Sequence, residues 1–246
     1  MSSMSENPYQ TPYDALTAPA AWAAADERSA FIRRTYLHLA GAIGLFVAIE
    51  AAIFALVPAE TLDGIIRMLF SSRFGWLGVI LAMTAVSWVA NWWALSGASK
   101  ATQYFGLLLY VVAEAVIFVP LLYIANTVAP QAIPAAGVLT MVVFGGLTVL
   151  VFVTKADLTS WGKYLWAAGL GSIGVIIAAM IFGFQLGIWF SGLMIVIASM
   201  YILYNTSNVM RNYRTDQYVA ASLALFASVA LLFWYILQLF MQFRRN

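Results

Sequence analysis

The chain has 246 residues, of which 63% are apolar and 9% are charged, whereas soluble domains carry about 25% charged residues. This composition indicates a protein surrounded by lipid rather than by water. The net charge of +2 comes from scattered basic residues, so it indicates neither a nucleic-acid surface nor an acidic partner. The sequence has no cysteine, which excludes disulfides, thiolate nucleophiles and cysteine metal sites.

The N-terminal segment contains no apolar run of signal-peptide length. It is polar and has prolines at Pro8, Pro12 and Pro19, a composition typical of a flexible chain. We therefore expect residues 1–33 to form a flexible cytoplasmic tail. The first membrane helix itself must then direct insertion.

Seven apolar runs follow this segment. A helix rises about 1.5 Å per residue, so roughly 20 apolar residues are needed to cross the hydrocarbon layer of a bilayer. The runs predict an all-α polytopic membrane domain over residues 34–240, with a short C-terminal tail at 241–246. The predicted spans are 36–57, 74–95, 104–125, 133–153, 163–183, 186–205 and 218–240.

The fifth and sixth spans are separated only by the short stretch from Gly183 to Gly187. A tight hairpin between two helices is one interpretation of this stretch. A single long or re-entrant segment, which would leave six helices, is the alternative.

The basic residues predict the orientation of the chain. Cytoplasmic segments next to membrane helices are enriched in Lys and Arg. A cytoplasmic N-terminus and an external C-terminus place eight of the twelve basic residues inside the cell: Arg28, Arg33, Arg34, Lys100, Lys155, Lys163, Arg211 and Arg214.

Two acidic residues lie deep in predicted spans. Glu50 is in the first span and Glu114 is in the third, where a charged side chain costs about 2.5–3.5 kcal/mol on insertion scales. We predict that both face protein or water and form a candidate proton or cation site. The alternative is that they are neutral, hydrogen-bonded packing groups.

Two other features of the sequence are weaker indications of a functional site. His38, the only histidine, is placed near a membrane surface, where an interfacial role is favoured over a titrating one. Gly169, Gly171 and Gly174 form a GxGxxG pattern inside an apolar run, which indicates close helix packing rather than a dinucleotide site.

Catalytic machinery is not visible in the sequence. It contains no GxSG or HExxH motif and no paired acidic motif of an intramembrane protease. We therefore expect a protein that is not an enzyme and that needs no cofactor and no bound metal.

Three segments resemble the Bax inhibitor-1/YccA family. TKADLTSWGKYL at residues 154–165 is similar to the family signature T-x-R-D-F-S-x-x-G-x-x-L after the fourth span. MYILYNTSNVMRNY and the final helix resemble the family's ILYD segment and last helix, and AEAVIFVPLL resembles E-G-x-x-x-x-P-L-L of the bacterial YccA-like branch. The candidate loop-motif residues are Thr154, Lys155, Asp157 and Gly162.

The resemblance implies a fold of six helices around a central seventh. It also implies a pH-sensitive calcium leak controlled by two aspartates, but this sequence has Asn205 and Ser228 at those positions. An Asn and a Ser can form a hydrogen bond but do not share a titrating proton. The second span also lacks the family's arginine, whereas Glu50 matches the first-span acid.

The YccA-like branch implies a different function, in which the protein is a modulator or substrate of the membrane protease FtsH in the bacterial inner membrane. We rank this function first because it does not require the aspartate pair. A calcium or proton leak through Glu50 and Glu114 ranks second, and a structural role in membrane assembly ranks third. The lipid bilayer, FtsH and calcium are the expected partners, and the sequence does not indicate an oligomeric state.

Overall fold

The computed structural model describes residues 19–71, 75–96 and 99–245. The α-helices in these ranges are α1 (Ala25–Leu56), α2 (Ala59–Ser71), α3 (Gly75–Leu95), α4 (Lys100–Val128), α5 (Ala132–Thr154), α6 (Gly162–Phe182), α7 (Ile188–Arg211) and α8 (Tyr218–Arg245). A short 3₁₀-helix, Thr159–Trp161, precedes α6.

Seven of these helices, all except α2, are long and apolar enough to cross a membrane. The prediction of an all-α polytopic protein with seven spans is therefore confirmed. The sequence did not predict α2, whose 13 residues are too few to cross a bilayer. It buries Leu62 and Ile66 on one face, and Asp63 pairs with Arg67 at 2.7 Å.

The first membrane helix begins earlier than its apolar run, and the last one ends later. Helix α1 starts at Ala25 rather than at residue 36, and Asp26 and Glu27 lie in its first turn, where the helix dipole favours acidic groups. The last nine residues of the predicted tail at 1–33 are therefore helical, and residues 1–18 lie outside the described residues. Helix α8 likewise continues to Arg245, through most of the predicted C-terminal tail.

The described residues before α1 contact the bundle. Pro19 forms an isolated β-bridge with Arg214, and the amide of Ala20 donates to the carbonyl of Tyr213 at 2.8 Å. Ala20 is completely buried. The end of the predicted tail is thus held against the connection between α7 and α8.

Helices α6 and α7 are separate elements. Gly183 has a φ of 77° and ends α6 in the left-handed conformation, which glycine adopts readily. Its amide donates to the carbonyl of Ala179 at 2.8 Å. Helix α7 begins at Ile188, so the six-helix alternative is wrong.

Helix α8 is the most buried span. In its most apolar 18-residue window 72% of the residues are buried, against at most 44% in any other span. It packs against α1, α3, α4, α5 and α7, whereas α6 packs mainly on α7. The full arrangement of six helices around the seventh stays a prediction from the resemblance.

Candidate functional site

A cavity of about 850 Å³ lies among α3, α4, α6, α7 and α8. Most of its wall is apolar, and Glu114 is the only residue with a formal charge among the described residues that line it. The other polar side chains of the wall carry hydroxyl or amide groups: Thr84, Ser87, Asn91, Ser172, Tyr110, Tyr201, Asn205, Ser228, Tyr235 and Gln238.

The polar side chains on the α3 side of the cavity lie on one face of that helix. Thr84, Ser87 and Asn91 occupy positions i, i+3 and i+7, which share one face of a helix. The hydroxyl of Thr84 donates to the carbonyl of Ile80 at 2.8 Å, so its donor is satisfied within the helix. This face gives the cavity a strip of uncharged oxygen atoms.

Glu114 reaches the cavity from α4 and is half-buried there. Tyr110 lies one turn earlier on the same helix, and its side chain interacts with both Glu114 and Ser87. Sequence reasoning missed Tyr110, although its i−4 spacing from a buried acid was a usable signal. The three side chains link α4 to α3 at the cavity wall.

The two positions of the family's aspartate pair lie together at the same cavity. The amide nitrogen of Asn205 donates to the hydroxyl of Ser228 at 2.8 Å and to the carbonyl of Ala224 at 3.2 Å. The Ser228 hydroxyl in turn donates to the Ala224 carbonyl at 2.9 Å. These residues therefore join α7 to α8 through uncharged hydrogen bonds.

Glu50 lies elsewhere. Its side chain is on the buried face of α1, is 6% exposed and does not line the cavity. Neither of its carboxyl oxygens has a hydrogen-bond partner in the described part of the chain. The structure thus separates Glu50 from Glu114, which the sequence had grouped as one candidate site.

The loop motif folds through local hydrogen bonds. The hydroxyl of Thr154 donates to the carbonyl of Leu150 at 2.7 Å, and Lys155 ends α5 with a φ of 49°. A carboxylate oxygen of Asp157 accepts from the Thr159 hydroxyl at 2.7 Å and from the Thr159 amide at 3.1 Å. These bonds, with a smaller contribution from the charge of a nearby arginine, lower the pKa of Asp157 below its ordinary value.

The folded loop is bound by side chains of α7. Arg211 donates to the carbonyl of Lys155 at 2.6 Å and lies 3.7 Å from a carboxylate oxygen of Asp157. The Ser207 hydroxyl donates to the carbonyl of Ala156 at 3.1 Å and accepts from the amide of Leu158 at 3.0 Å. Through these contacts the loop motif holds the C-terminal part of α7 in position.

Glycine allows close approach at two points of this region. A Cβ at Gly162 would lie 2.7 Å from the hydroxyl oxygen of Tyr204, and one at Gly169 would lie 3.0 Å from that of Tyr201. Gly171 and Gly174 have no atom that a Cβ would meet within 4 Å. Close packing therefore accounts for Gly169 alone in the GxGxxG pattern.

His38 lies between α1 and α4, outside the cavity. One ring nitrogen is 2.7 Å from the carbonyl of Arg34 and the other is 2.8 Å from the hydroxyl of Tyr104. It therefore joins the middle of α1 to the first turns of α4.

Comparison with known proteins identifies the family. No curated protein matches the chain. The family model described as inhibitor of apoptosis-promoting Bax1 matches residues 28–245, which include the loop motif, both positions of the aspartate pair and all seven spans except the first turn of α1. The chain therefore belongs to the Bax inhibitor-1 family.

Proposed function

We propose that this protein is a non-catalytic membrane protein that admits a hydrated cation to the cavity beside Glu114 and so supports a slow calcium leak. One observation carries the proposal: among the described residues that line a cavity of about 850 Å³, a single carboxylate lies with hydroxyl and amide groups. Buried charged groups inside a membrane domain mark ion or proton pathways in many proteins.

The chemistry of the wall favours passage over tight binding. Calcium takes about six to eight oxygen ligands, usually with several carboxylates. Glu114 supplies the only carboxylate among the described wall residues, and the remaining oxygens belong to uncharged groups. A calcium ion beside Glu114 would therefore keep much of its hydration shell.

The Asn205–Ser228 contact gives this leak a different pH response from the one that the resemblance implies. An amide and a hydroxyl form the 2.8 Å bond between α7 and α8, and neither group changes its charge at physiological pH. Among the described residues of the wall, Glu114 is then the one carboxyl group, and so the remaining candidate for a pH response.

Purified protein in liposomes that contain a calcium indicator tests the proposal. Wild-type protein should admit calcium faster than empty vesicles, and Glu114→Gln should reduce the flux because it removes the charge from the cavity wall. Glu50→Gln is the matched control, since Glu50 is also buried in a span but does not line the cavity. Flux equal to that of empty vesicles, or equal loss in both variants, would reject the proposal.

A double variant tests whether the contact between Asn205 and Ser228 controls the pH dependence of the calcium flux. Asn205→Asp combined with Ser228→Asp would place two carboxyl groups where the 2.8 Å bond now lies. Two such groups share a proton and respond to pH as a pair. The double variant should make the flux strongly pH-dependent, and an unchanged pH profile would contradict a gating role for this contact.

A second candidate function is modulation of FtsH, supported by an exposed side chain just before α1. Trp22 is 82% exposed, and α1 begins with a polar turn well before its apolar run. Chain termini are common sites of proteolytic attack. Deletion of residues 1–18 keeps the contacts of Pro19 and Ala20. If this function is correct, FtsH copurifies with the full chain, and the deletion slows degradation; failure of both outcomes rejects it.

The proposed location is the bacterial inner membrane, with a cytoplasmic N-terminus and an external C-terminus. The distribution of basic residues supports this orientation. Because the sequence has no cysteine, single cysteines at the exposed positions Trp22 and Met68 can be labelled with an impermeant maleimide. In intact cells residue 68 should react and residue 22 should not, and the reverse pattern would invert the topology.

A further inference from the structure

A second cavity lies on the outer surface between α1 and α4 and has a volume of about 500 Å³. Apolar side chains form most of its wall, including the exposed Leu45 and Phe105. It extends from Leu37 to Leu45 along α1 and from Ala101 to Val111 along α4. These stretches correspond to about 12 Å and about 15 Å of helix, so the cavity is an elongated apolar groove.

Polar side chains close one end of this groove. His38 and Tyr104 are joined at 2.8 Å, and the Tyr104 hydroxyl lies 3.4 Å from that of Tyr218 on α8. The groove therefore changes from apolar to polar along its length. That change matches the boundary between an acyl chain and a lipid headgroup.

Two cations converge at the polar end. The guanidinium of Arg34 lies 5.8 Å from the centre of the Tyr218 ring, and the ammonium of Lys100 lies 4.7 Å from the same centre. In the described part of the chain neither cation forms an ion pair with a carboxylate. Two positive charges near one ring repel each other, and a nearby anion would stabilise both.

The acidic residue next to Lys100 is already engaged. The carboxylate of Asp216 accepts from Arg214 at 3.0 and 2.9 Å, which lowers its pKa. Lys100 instead donates to the backbone carbonyl of Asp216 and to the side-chain carbonyl of Gln103. A net positive charge therefore stays at the polar end of the groove.

We propose that the α1–α4 groove binds one anionic phospholipid, with an acyl chain along the groove and the phosphate near Arg34 and Lys100. The Tyr104 hydroxyl and the His38 ring are the neighbouring hydrogen-bonding groups. An apolar groove with two cations at one end favours a lipid over free phosphate, because an isolated phosphate would make no contact with the apolar part of the groove. It selects an anionic lipid over a zwitterionic one, because two cations face the headgroup.

Native mass spectrometry of the full chain in detergent tests this proposal with equimolar phosphatidylglycerol and phosphatidylcholine. Each basic residue near a membrane surface favours anionic lipid by about a factor of five, so with two such residues we expect a preference for phosphatidylglycerol of about 25-fold. Arg34→Gln with Lys100→Gln should abolish the preference. Gly41→Leu should reduce the binding of both lipids, since a side chain at Gly41 would enter the groove without removing a charge.

The controls separate this site from general surface charge. Arg33→Gln with Lys163→Gln removes the same charge elsewhere and should leave the preference intact. Free glycerol phosphate in excess should not displace the lipid. Equal binding of the two lipids by the wild type would overturn the proposal, as would an equal effect of the control pair or displacement by glycerol phosphate. Normal lipid binding by Gly41→Leu would also overturn it, and size-exclusion profiles establish that each variant is folded.

Discussion

The contact between α3 and α4 depends on one glycine. A Cβ at Gly106 would lie 2.6 Å from the carbonyl oxygen of Ala90 and 3.0 Å from the amide nitrogen of Ala94. Ordinary contacts begin near 3.4 Å, so the helices would have to move apart by about 0.8 Å at this point. These two atoms belong to the α3 backbone, and the third contact, at 3.1 Å, is the Cβ of Trp93. None of the three can rotate away as the end of a flexible side chain can. Small residues at such crossings are typical of close packing between membrane helices.

We therefore predict that Gly106→Ala destabilises the fold. Overpacking costs about 1–3 kcal/mol, and the better helix propensity of Ala offsets about 0.5–1 kcal/mol of it. With a shift of about 2–4 °C per kcal/mol for a chain of this size, the melting temperature should fall by several degrees. Thermal unfolding in detergent, followed by size-exclusion chromatography, measures the shift.

The matched control for this prediction is Gly171→Ala. Gly171 is also inside a membrane helix, but a Cβ there would meet no atom within 4 Å. The control should be neutral or slightly stabilising because only the propensity changes. Equal melting temperatures for the two variants would refute the close approach of α3 and α4 at Gly106.

Three further variants test individual contacts by the same melting assay. Asp157→Ala should lower stability at neutral pH, and the difference from the wild type should disappear as pH falls below 3.8, the ordinary pKa of this group. The hydrogen bonds from Thr159 hold the pKa of Asp157 below that value, so their stabilisation is present above it and is lost on protonation. Ser228→Ala removes an acceptor of Asn205 and should cost about 0.5–1.5 kcal/mol. Glu50→Met should stabilise the fold by about 1–3 kcal/mol, because it removes a buried carboxyl that has no hydrogen-bond partner among the described residues.

Each of these three predictions has a contrary outcome. A difference for Asp157→Ala that does not change with pH would show that the carboxylate is not responsible. Unchanged melting of Ser228→Ala would show that the α7–α8 hydrogen bond adds no stability. Loss of stability in Glu50→Met would show that this carboxyl has a partner in the protein that the contacts do not include.

The sequence predicted the helices that correspond to long, continuous apolar runs. Each of the seven spans is an apolar run of about 20 residues, so hydropathy alone located all of them. Helix α2 has only 13 residues and was not predicted. The start of α1 at Ala25 was also missed because its first turns are polar, and polar residues extend a helix without adding to an apolar run.

The candidate site was only partly predictable, because a cavity depends on the distances between helices. Glu114 was found from its charge, and the resemblance located Asn205 and Ser228. Their common position at one cavity required the packing of α4, α7 and α8. Glu50 had the same sequence signal as Glu114, yet it lies on a face of α1 that does not reach the cavity. Charge at membrane depth identified both residues but could not assign them to one site.

The loop motif and the aspartate-pair position are connected through α7. Ser207 and Arg211 bind the α5–α6 loop, and Asn205, within two turns of both, bonds to Ser228 on α8. A helix transmits position along its axis because its backbone hydrogen bonds keep the spacing of neighbouring turns fixed. The loop therefore fixes the end of α7 that carries the α7–α8 contact. By the same argument, we expect substitutions in the motif to alter the cavity wall through α7, although the motif lies outside the cavity.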